Sequence, residues 1–241
     1  MRIVVALGGN ALLEKGSKGD AEDQLSAAKK AVRLLEPLLK SHQVVLTHGN
    51  GPQVGNLLLQ QQATLEVPPM PLDVLDAMTQ GQIGYFIASA ISMTGLHCAT
   101  LITRVVVDPN DRAFSNPTKP IGPFYGTPVR KGMRMDSGRG YRLFVASPEP
   151  IKIREQDAID ALLDAGFVVI AVGGGGIPIS GKGAGLEAVI DKDKAASLLA
   201  SQTEADLLVF VTSIDSVYSD FGKKSQRRIR KMDSKAARGY L

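Results

Sequence analysis

Apolar runs and helical periodicities alternate along this chain. A short apolar strand is predicted at 2–7, and a helix at 23–41 on whose buried face fall Leu25, Ala28, Val32, Leu35 and Leu39. A second apolar run at 44–47 completes a strand–helix–strand unit, which joins parallel strands by a right-handed crossover. The pattern therefore predicts an α/β protein with a mainly parallel sheet.

The alternation continues to residue 212, with two interruptions. Further helices are predicted at 54–63, 72–92, 155–165 and 191–202, and further strands at 99–107, 167–172 and 207–212. The proline-rich stretch 108–123 is predicted to be a loop, and the basic segment 126–147 a hairpin or small inserted lid. One α/β domain and two small ones both fit a chain of 241 residues.

Three predicted strands run into glycine-rich turns, at 4–10 (VVALGGN), 44–55 (VVLTHGNGPQVG) and 168–178 (VVIAVGGGGIP). Such turns present backbone N–H groups to anions, and parallel sheets bind ligands at the carboxyl ends of their strands. We therefore expect a shared anion-binding face, although glycine is also common in such turns for structural reasons alone. His48, in the second turn, is either a hydrogen-bonded supporting residue or a proton carrier.

Two lysines are candidates for phosphoryl chemistry. Lys192 lies between Asp191 and Asp193 at the start of a predicted helix, where it could neutralise phosphoryl oxygens. The two aspartates could equally be ordinary helix caps. Lys119 is flanked by prolines. Neither the P-loop motif GxxxxGK[ST] nor a well-placed Rossmann motif GxGxxG occurs. A bound nucleotide would therefore require a fold other than these two motifs indicate.

Composition narrows the class of protein. The chain is 44% hydrophobic and 22% charged, has no apolar window long enough for a membrane helix and no signal-peptide pattern. A cytoplasmic protein without a membrane partner is predicted. Cys98 is the only cysteine, so no internal disulfide forms, and with three scattered histidines no metal site is predicted. We interpret Cys98 as a structural thiol rather than a nucleophile.

The net positive charge of the chain comes from its last 20 residues. Residues 222–241 carry eight Lys or Arg against one Asp, a net +7, which leaves −3 for the rest. Nucleic-acid-binding surfaces usually interleave such charge with aromatic residues, and here only Tyr240 and the preceding Phe221 are aromatic. A solvated helical face is therefore predicted, and no nucleic-acid partner.

The chain resembles the carbamate kinases of the amino-acid-kinase family. The resemblance rests on motifs in the family's order: ALGGNAL (6–12), VVLTHGNGPQVG (44–55), QGQIGY (80–85), VDPNDRAFSNPTKPIGPFY (107–125), DSGRGYR (136–142), VASPEP (145–150), VGGGGIP (172–178) and AVIDKDKAA (188–196). It implies a three-layer αβα sandwich with an eight-stranded, mainly parallel sheet. It also implies Mg-dependent, reversible phosphoryl transfer between ATP and carbamate, giving ADP and carbamoyl phosphate.

The resemblance also implies residue roles. Within a single domain over 1–241, the half 1–150 would bind carbamate or carbamoyl phosphate through Gly8, Gly9, Asn10, Gly49, Asn50 and Gly51. Lys119 and Lys192 would stabilise the transferring phosphoryl group, with Asp193 orienting the lysine. The half 151–241 would bind ATP through Gly174 and Gly175 near the phosphates and Thr212, Asp215, Tyr218 and Lys223 around the nucleoside. A role in arginine metabolism follows. The long apolar helix 72–92 is a candidate homodimer face, although plain core packing would give the same pattern.

Three departures from the family pattern keep alternatives open. The family's TDVDGVY is TSIDSVY here (212–218), the lid between residues 125 and 136 is short, and the chain ends before the family's Ser-Met-x-Pro-Lys segment. We therefore expect either a fragment or an incomplete site. The alternative functions are a kinase of another small carboxylate or phosphate, and a catalytically impaired relative that binds a metabolite.

Overall fold

The computed structural model describes residues 1–9, 19–63, 66–212 and 214–240. The chain divides into two compact units, Met1–Val211 and Thr212–Leu241, and each is described by itself. Asn10, one of the predicted substrate-binding residues, lies outside the described residues, so its role stays a prediction.

The described residues form the following strands: β1 (Arg2–Leu7), β2 (Gln43–His48), β3 (Cys98–Thr100), β4 (Arg104–Val106), β5 (Lys119–Tyr125), β6 (Met133–Met135), β7 (Tyr141–Val145), β8 (Lys152–Ile153), β9 (Val168–Ile170), β10 (Ile177–Ile179), β11 (Leu207–Val211), β12 (Val217–Ser219) and β13 (Arg227–Ile229). The helices are α1 (Ala21–Ser41), α2 (Gly51–Gln61), α3 (Leu72–Ser92), α4 (Gln156–Asp164), α5 (Lys192–Gln202) and α6 (Ser234–Arg238), with short 3-10 turns at Arg112–Phe114 and Gly173–Gly175.

The first unit is built on a parallel sheet of five strands in the order β11-β1-β2-β9-β3. β1 lies between two parallel neighbours, with Val5 opposite both Leu46 and Val209. All five strands therefore end at the same edge of the sheet, as predicted, and this edge collects the turns that follow β1, β2 and β9.

Helices cover both faces of this sheet. Successive side chains of a strand point to opposite faces. Thus Ile3 and Val5 pack with α1 and α3, whereas Val4 packs with α4 and α5. The five apolar positions predicted for the first helix pack on its buried side. The result is the predicted α/β fold with a mainly parallel central sheet between two helical layers.

The predicted strand 99–107 is two strands, β3 and β4. The neighbouring strand is interrupted as well: after β9, which pairs with β3, residues 171–176 leave the sheet, and the chain pairs again as β10, next to β4. Leu101 N donates to Ile170 O at 2.9 Å before this interruption, and Ile177 N donates to Thr103 O at 2.9 Å after it. The glycine turn between β9 and β10 therefore breaks two adjacent strands at once. β4 also pairs antiparallel with β8.

The predicted loop 108–123 is wrong from Lys119 onward, where β5 begins and Ile121 is buried. β5 pairs with β7 at the edge of a three-stranded antiparallel sheet, β5-β7-β6, and an edge strand tolerates prolines such as Pro120 and Pro123. The same sheet contains the hairpin predicted within 126–147, formed by β6 and β7.

In the second unit, β12 and β13 form an antiparallel hairpin in which Val217 is opposite Ile229, and α6 follows. The prediction of one basic helical face over 222–241 is therefore largely wrong. Arg227 and Arg228 lie on β13, opposite Ser219 and Tyr218 of β12, and α6 is the only helix among the described residues of this segment.

Candidate functional site

The turns after β1 and β2 are in direct contact at the edge of the sheet. Gly49 N donates to Leu7 O at 3.0 Å, and a Cβ on Gly49 would lie 3.4 Å from Gly9 N. Gly8 N donates to Val211 O at 3.0 Å, and a Cβ on Gly8 would lie 3.0 Å from that same oxygen. The structure therefore brings the predicted residues Gly8, Gly9 and Gly49 together, and all three are partly exposed.

Asn50 precedes Gly51, the first residue of α2, and its side chain points into the protein. It is 2% exposed, and its Nδ2 donates to Asp76 Oδ1 and to Thr79 Oγ1, each at 2.9 Å. Both amide hydrogens are thus engaged with α3. What this turn offers an anion is the backbone N–H groups in the first turn of α2. A role of Asn50 and Gly51 in substrate binding stays a prediction.

Lys119 and Asp191 form an ion pair at the start of α5. Lys119 Nζ lies 2.7 Å from Asp191 Oδ2, and Asp191 Oδ1 caps the helix by accepting from Asp193 N at 2.9 Å. Partial burial raises the pKa of the Asp191 carboxyl, but the Lys119 hydrogen bond and charge lower it overall. Asp191 is therefore both a cap and the group that holds Lys119.

Lys192 follows immediately and extends along the turn after β2. Its side chain is 18% exposed, its Nζ pairs with the Asp193 carboxylate and lies 5.8 Å from the centre of the Phe210 ring. A Cβ on Gly49 would lie 3.6 Å from Lys192 Cδ. The pairing expected between Lys192 and Asp193 is present, and α5 brings both candidate lysines to its first turn. Their catalytic roles stay predictions.

The glycine turn at residues 173–176 is buried, and packing requires its glycines. A Cβ on Gly173 would lie 2.3 Å from His48 Nε2, and one on Gly174 would lie 2.3 Å from Asn50 Nδ2. Gly174 and Gly175 have φ of +68° and +95°, which side chains rarely allow. The predicted contacts of Gly174 and Gly175 with phosphates stay predictions, since packing alone accounts for these glycines.

His48 supports this turn. Its ring is 1% exposed, lies directly against Gly173, and places Nδ1 3.2 Å from Gly49 O. Burial lowers its pKa from 6.5 to about 4, against a smaller opposing effect of the Gly49 carbonyl. The imidazole is therefore neutral at neutral pH, and of the two interpretations the supporting one fits.

The sequence interpretation missed three polar residues on α3. Asp76, Thr79 and Gln80 are each 1% exposed or less. Gln80 Nε2 donates to Gly173 O at 2.9 Å, and its Oε1 accepts from Thr103 N at 2.7 Å. The signal was available, because residues at i, i+3 and i+4 form one polar stripe on a helix whose remaining residues are mostly apolar.

The second unit holds the four residues predicted around the nucleoside. The Tyr218 hydroxyl donates to the Asp215 carboxylate at 3.0 Å, which raises the tyrosine pKa. Lys223 Nζ lies 3.3 Å from Asp220 Oδ1, and Thr212 is exposed. The structure thus brings Asp215 and Tyr218 together, and the nucleotide-binding roles of all four residues stay predictions.

Other sites are excluded only for the part of the chain that the structure describes. There, no group of three His, Cys, Asp or Glu side chains could hold a metal ion, and no helix is both long and apolar enough to cross a membrane. Cys98 is half-buried, its thiol lies 3.7 Å from Ala88 O, and burial raises its pKa. These features fit a structural thiol.

Known proteins match this chain over almost its whole length. The model of the amino acid kinase family matches residues 1–239. A carbamate kinase of Escherichia coli O6:H1 is 48% identical, over 95% of this chain and 80% of that protein. A carbamate kinase of Pyrococcus furiosus is 41% identical, over 99% of this chain and 83% of that protein. The structure of carbamate kinase from Giardia lamblia bound to AMP-PNP has a TM-score of 0.85 and 40% identity, over 95% of this chain and 78% of that one.

Proposed function

Because the chain belongs to the amino acid kinase family, we propose that it transfers a phosphoryl group reversibly between ATP and carbamate, giving ADP and carbamoyl phosphate. The observation that carries this proposal is 48% identity to a carbamate kinase over 95% of the chain. The chain is therefore a kinase, and its acceptor is a small planar anion.

The geometry suits this chemistry. In-line phosphoryl transfer requires positioning and charge neutralisation more than covalent chemistry. The N–H groups of Gly8 and Gly49 donate within the protein, which leaves Gly9 and the first turn of α2 as the places where a small anion can reach backbone N–H groups. Lys119 and Lys192, both brought to the first turn of α5, supply positive charge beside these turns. We assign them to the transferring phosphoryl group, with Asp193 orienting Lys192.

ATP is the proposed donor, by analogy with the relative bound to AMP-PNP. The family chemistry also implies Mg²⁺. The nearby carboxylates of Asp191 and Asp193 are each paired with a lysine, and the described residues contain no group of three metal-binding side chains. This arrangement fits an ion that is bound mainly by nucleotide phosphates and water, as Mg²⁺ commonly is. When bound, Mg²⁺ would neutralise phosphate charge.

The direct test is ATP formation from ADP and carbamoyl phosphate by Mg²⁺-supplied protein, followed with a luciferase readout. We expect turnover by the wild type and a loss of roughly 100-fold or more in kcat for Lys119→Ala and for Lys192→Ala. Lys194→Ala is the matched control, because Lys194 lies in the same helical turn but pairs with Glu149 instead.

Folded wild-type protein that forms no ATP would refute the proposal. Acetyl phosphate, assayed in parallel, separates carbamate from another small carboxylate as the acceptor. Calorimetry with carbamoyl phosphate separates an inactive protein that still binds its ligand from one that does not bind it.

We also propose a homodimer through α3. Val74, Met78 and Tyr85 form an exposed apolar stripe on this helix, with Tyr85 67% exposed. Light scattering should give twice the chain mass for the wild type and for Leu34→Lys, a change at an exposed site on α1, but a monomer for Tyr85→Lys. A monomeric wild type contradicts this proposal. The cytoplasmic location and the role in arginine metabolism stay predictions.

A further inference from the structure

One face of α3 holds both of the turns that the proposed reaction would use. Asp76 and Thr79 accept the two hydrogen bonds of the Asn50 carboxamide, and Gln80 donates to Gly173 O. The Asn50 carboxamide itself lies directly against Gly174. One helix therefore contacts both the turn after β2 and the turn after β9, in addition to the pairing of β2 with β9 and the hydrogen bond from Thr47 Oγ1 to Val172 O at 2.8 Å.

Asp76 is the unusual member of this network. It is 1% exposed, its Oδ1 accepts from Asn50, and its Oδ2 is buried without a hydrogen-bond partner among the described residues. Burial raises the pKa of its carboxyl, the Asn50 hydrogen bond lowers it, and Asp73 on the same helix raises it further, so that it lies well above the usual range. An uncharged carboxylic acid fits this environment, because a buried carboxylate without a cation is costly.

We propose that Asp76 is a positioning residue for the phosphoryl transfer: by holding the Asn50 carboxamide, it fixes the start of α2 against the glycine turn 173–176. The inference rests on the proposed function, because these two turns are those expected to face the acceptor and the nucleotide phosphates. Transfer between two bound groups depends steeply on their separation, and a displacement of about 1 Å can cost about 100-fold in rate.

Variants of Asp76 and its neighbours can separate an effect of the hydrogen bond to Asn50 from an effect of negative charge. Asp76→Asn keeps the size and the acceptor oxygen of an uncharged acid, whereas Asp76→Leu keeps the size and removes the acceptor. Thr79→Val removes the second acceptor of the Asn50 amide. Asp73→Asn is the matched control, since it removes a carboxylate from the same face one turn earlier without touching Asn50.

The loss of kcat should depend on whether residue 76 keeps its acceptor oxygen, and not on whether it can carry a negative charge. We expect Asp76→Asn and Asp73→Asn to keep kcat within about threefold of wild type, and Asp76→Leu to lose about 10- to 100-fold in kcat with a smaller change in the KM for ADP. Thr79→Val should lose kcat in the same direction. In an Asn50→Ala background, Asp76→Leu should add little further loss, because both changes remove one interaction.

A second readout does not require activity. Hydrogen exchange should accelerate at the amides of Asn50, Gly51 and Gln53 and of residues 173–176 in Asp76→Leu, and stay at the wild-type rate in Asp76→Asn. If the wild type forms no ATP, the proposed function fails while this exchange pattern still tests the positioning. If Asp76→Leu does not fold, Thr79→Val carries the same comparison.

Three results would overturn the inference. One is folded Asp76→Leu with wild-type kcat and exchange. Another is Asp76→Asn losing as much as Asp76→Leu, which would assign the effect to charge. The third is a fully additive loss of kcat for Asp76→Leu and Asn50→Ala, which would separate the two residues.

Discussion

Acidification should destabilise the first unit through His48. The imidazole is 1% exposed, lies against Gly173 and has a pKa lowered by burial from 6.5 to about 4. Between these two pH values the unfolded chain binds a proton at His48 and the native protein does not. The stability that the neutral ring contributes is therefore complete above pH 6.5 and is lost as the pH falls toward 4.

The size of the effect follows from the shift in pKa. Each unit corresponds to about 1.4 kcal/mol, so lowering the pH from 6.5 to 4 should remove about 3 kcal/mol from the free energy of unfolding through this residue alone. That loss is a large fraction of the roughly 5–15 kcal/mol that stabilises a typical domain. It should be visible above the contributions of the surface carboxylates.

Urea unfolding of wild type and His48→Gln between about pH 7.5 and 4 would measure it. Because the two proteins share every other titrating group, the difference between their free energies of unfolding isolates His48. We expect the wild type to be the more stable at pH 7.5, and its advantage to shrink by about 3 kcal/mol at pH 4. His97→Gln, a change at an exposed ring, should leave the wild-type pH dependence nearly intact.

A difference that stays constant with pH within about 0.5 kcal/mol would refute this reasoning. So would an NMR titration of the His48 ring with a midpoint near 6.5, because the shifted pKa and the loss of stability have the same physical origin.

Two further predictions concern packing and the lysine pair. Gly55→Ala should destabilise by about 1–3 kcal/mol in urea unfolding, because its Cβ would lie 2.0 Å from Gly122 Cα. Gly81→Ala should not destabilise, because its Cβ would meet no described residue within 4 Å. Equal stabilities of the two variants would contradict this. Asp191→Asn should keep the helix cap and change stability by less than about 1 kcal/mol, yet lower kcat because Lys119 loses its counter-charge; an unchanged kcat would separate Lys119 from the reaction.

The elements that the sequence predicted best are those whose pattern is local. The apolar residues of α1 recur at helical spacing, so five positions were enough to predict which side of the helix is buried. The bounds predicted for α3 match the structure, because the prolines before Leu72 and the end of its apolar run mark both ends. Their burial follows directly from residue spacing.

β5 shows what local pattern leaves out. Its prolines would disqualify a central strand, but they are tolerated at an edge, and whether a strand is at an edge depends on β7, more than 15 residues later in the chain. The division of 99–107 into β3 and β4 has a similar cause, since the interruption originates in residues 171–176 on the neighbouring segment. Both errors concern pairing partners, which one segment does not reveal.

The candidate site, too, was predictable where the pattern is local and not where it depends on a distant segment. The spacing of the glycines predicted the turns that meet at the edge of the sheet, and Lys119 and Lys192 do converge on one helical turn. The direction of the Asn50 side chain was not predictable from its turn. Its partners Asp76 and Thr79 belong to a helix more than 20 residues away, and their polarity has meaning only once that helix is placed against the turn.

The glycines of these turns differ in whether a side chain would fit in their place. This difference separates glycines that are needed for packing from glycines that a ligand could approach. A side chain at Gly173, Gly174 or Gly175 would collide with His48, Asn50 or Ile190, so the protein itself occupies the space that each glycine leaves. Among the residues that the structure describes, a Cβ at Gly9 would have its nearest neighbour 4.0 Å away, and a Cβ at Gly51 would have none within 4 Å. Packing against the described residues therefore does not require glycine at those two positions. As far as the described residues go, Gly9 and Gly51 are therefore the positions where an anion could approach the backbone closely, whereas the turn at 173–176 packs directly against His48 and Asn50.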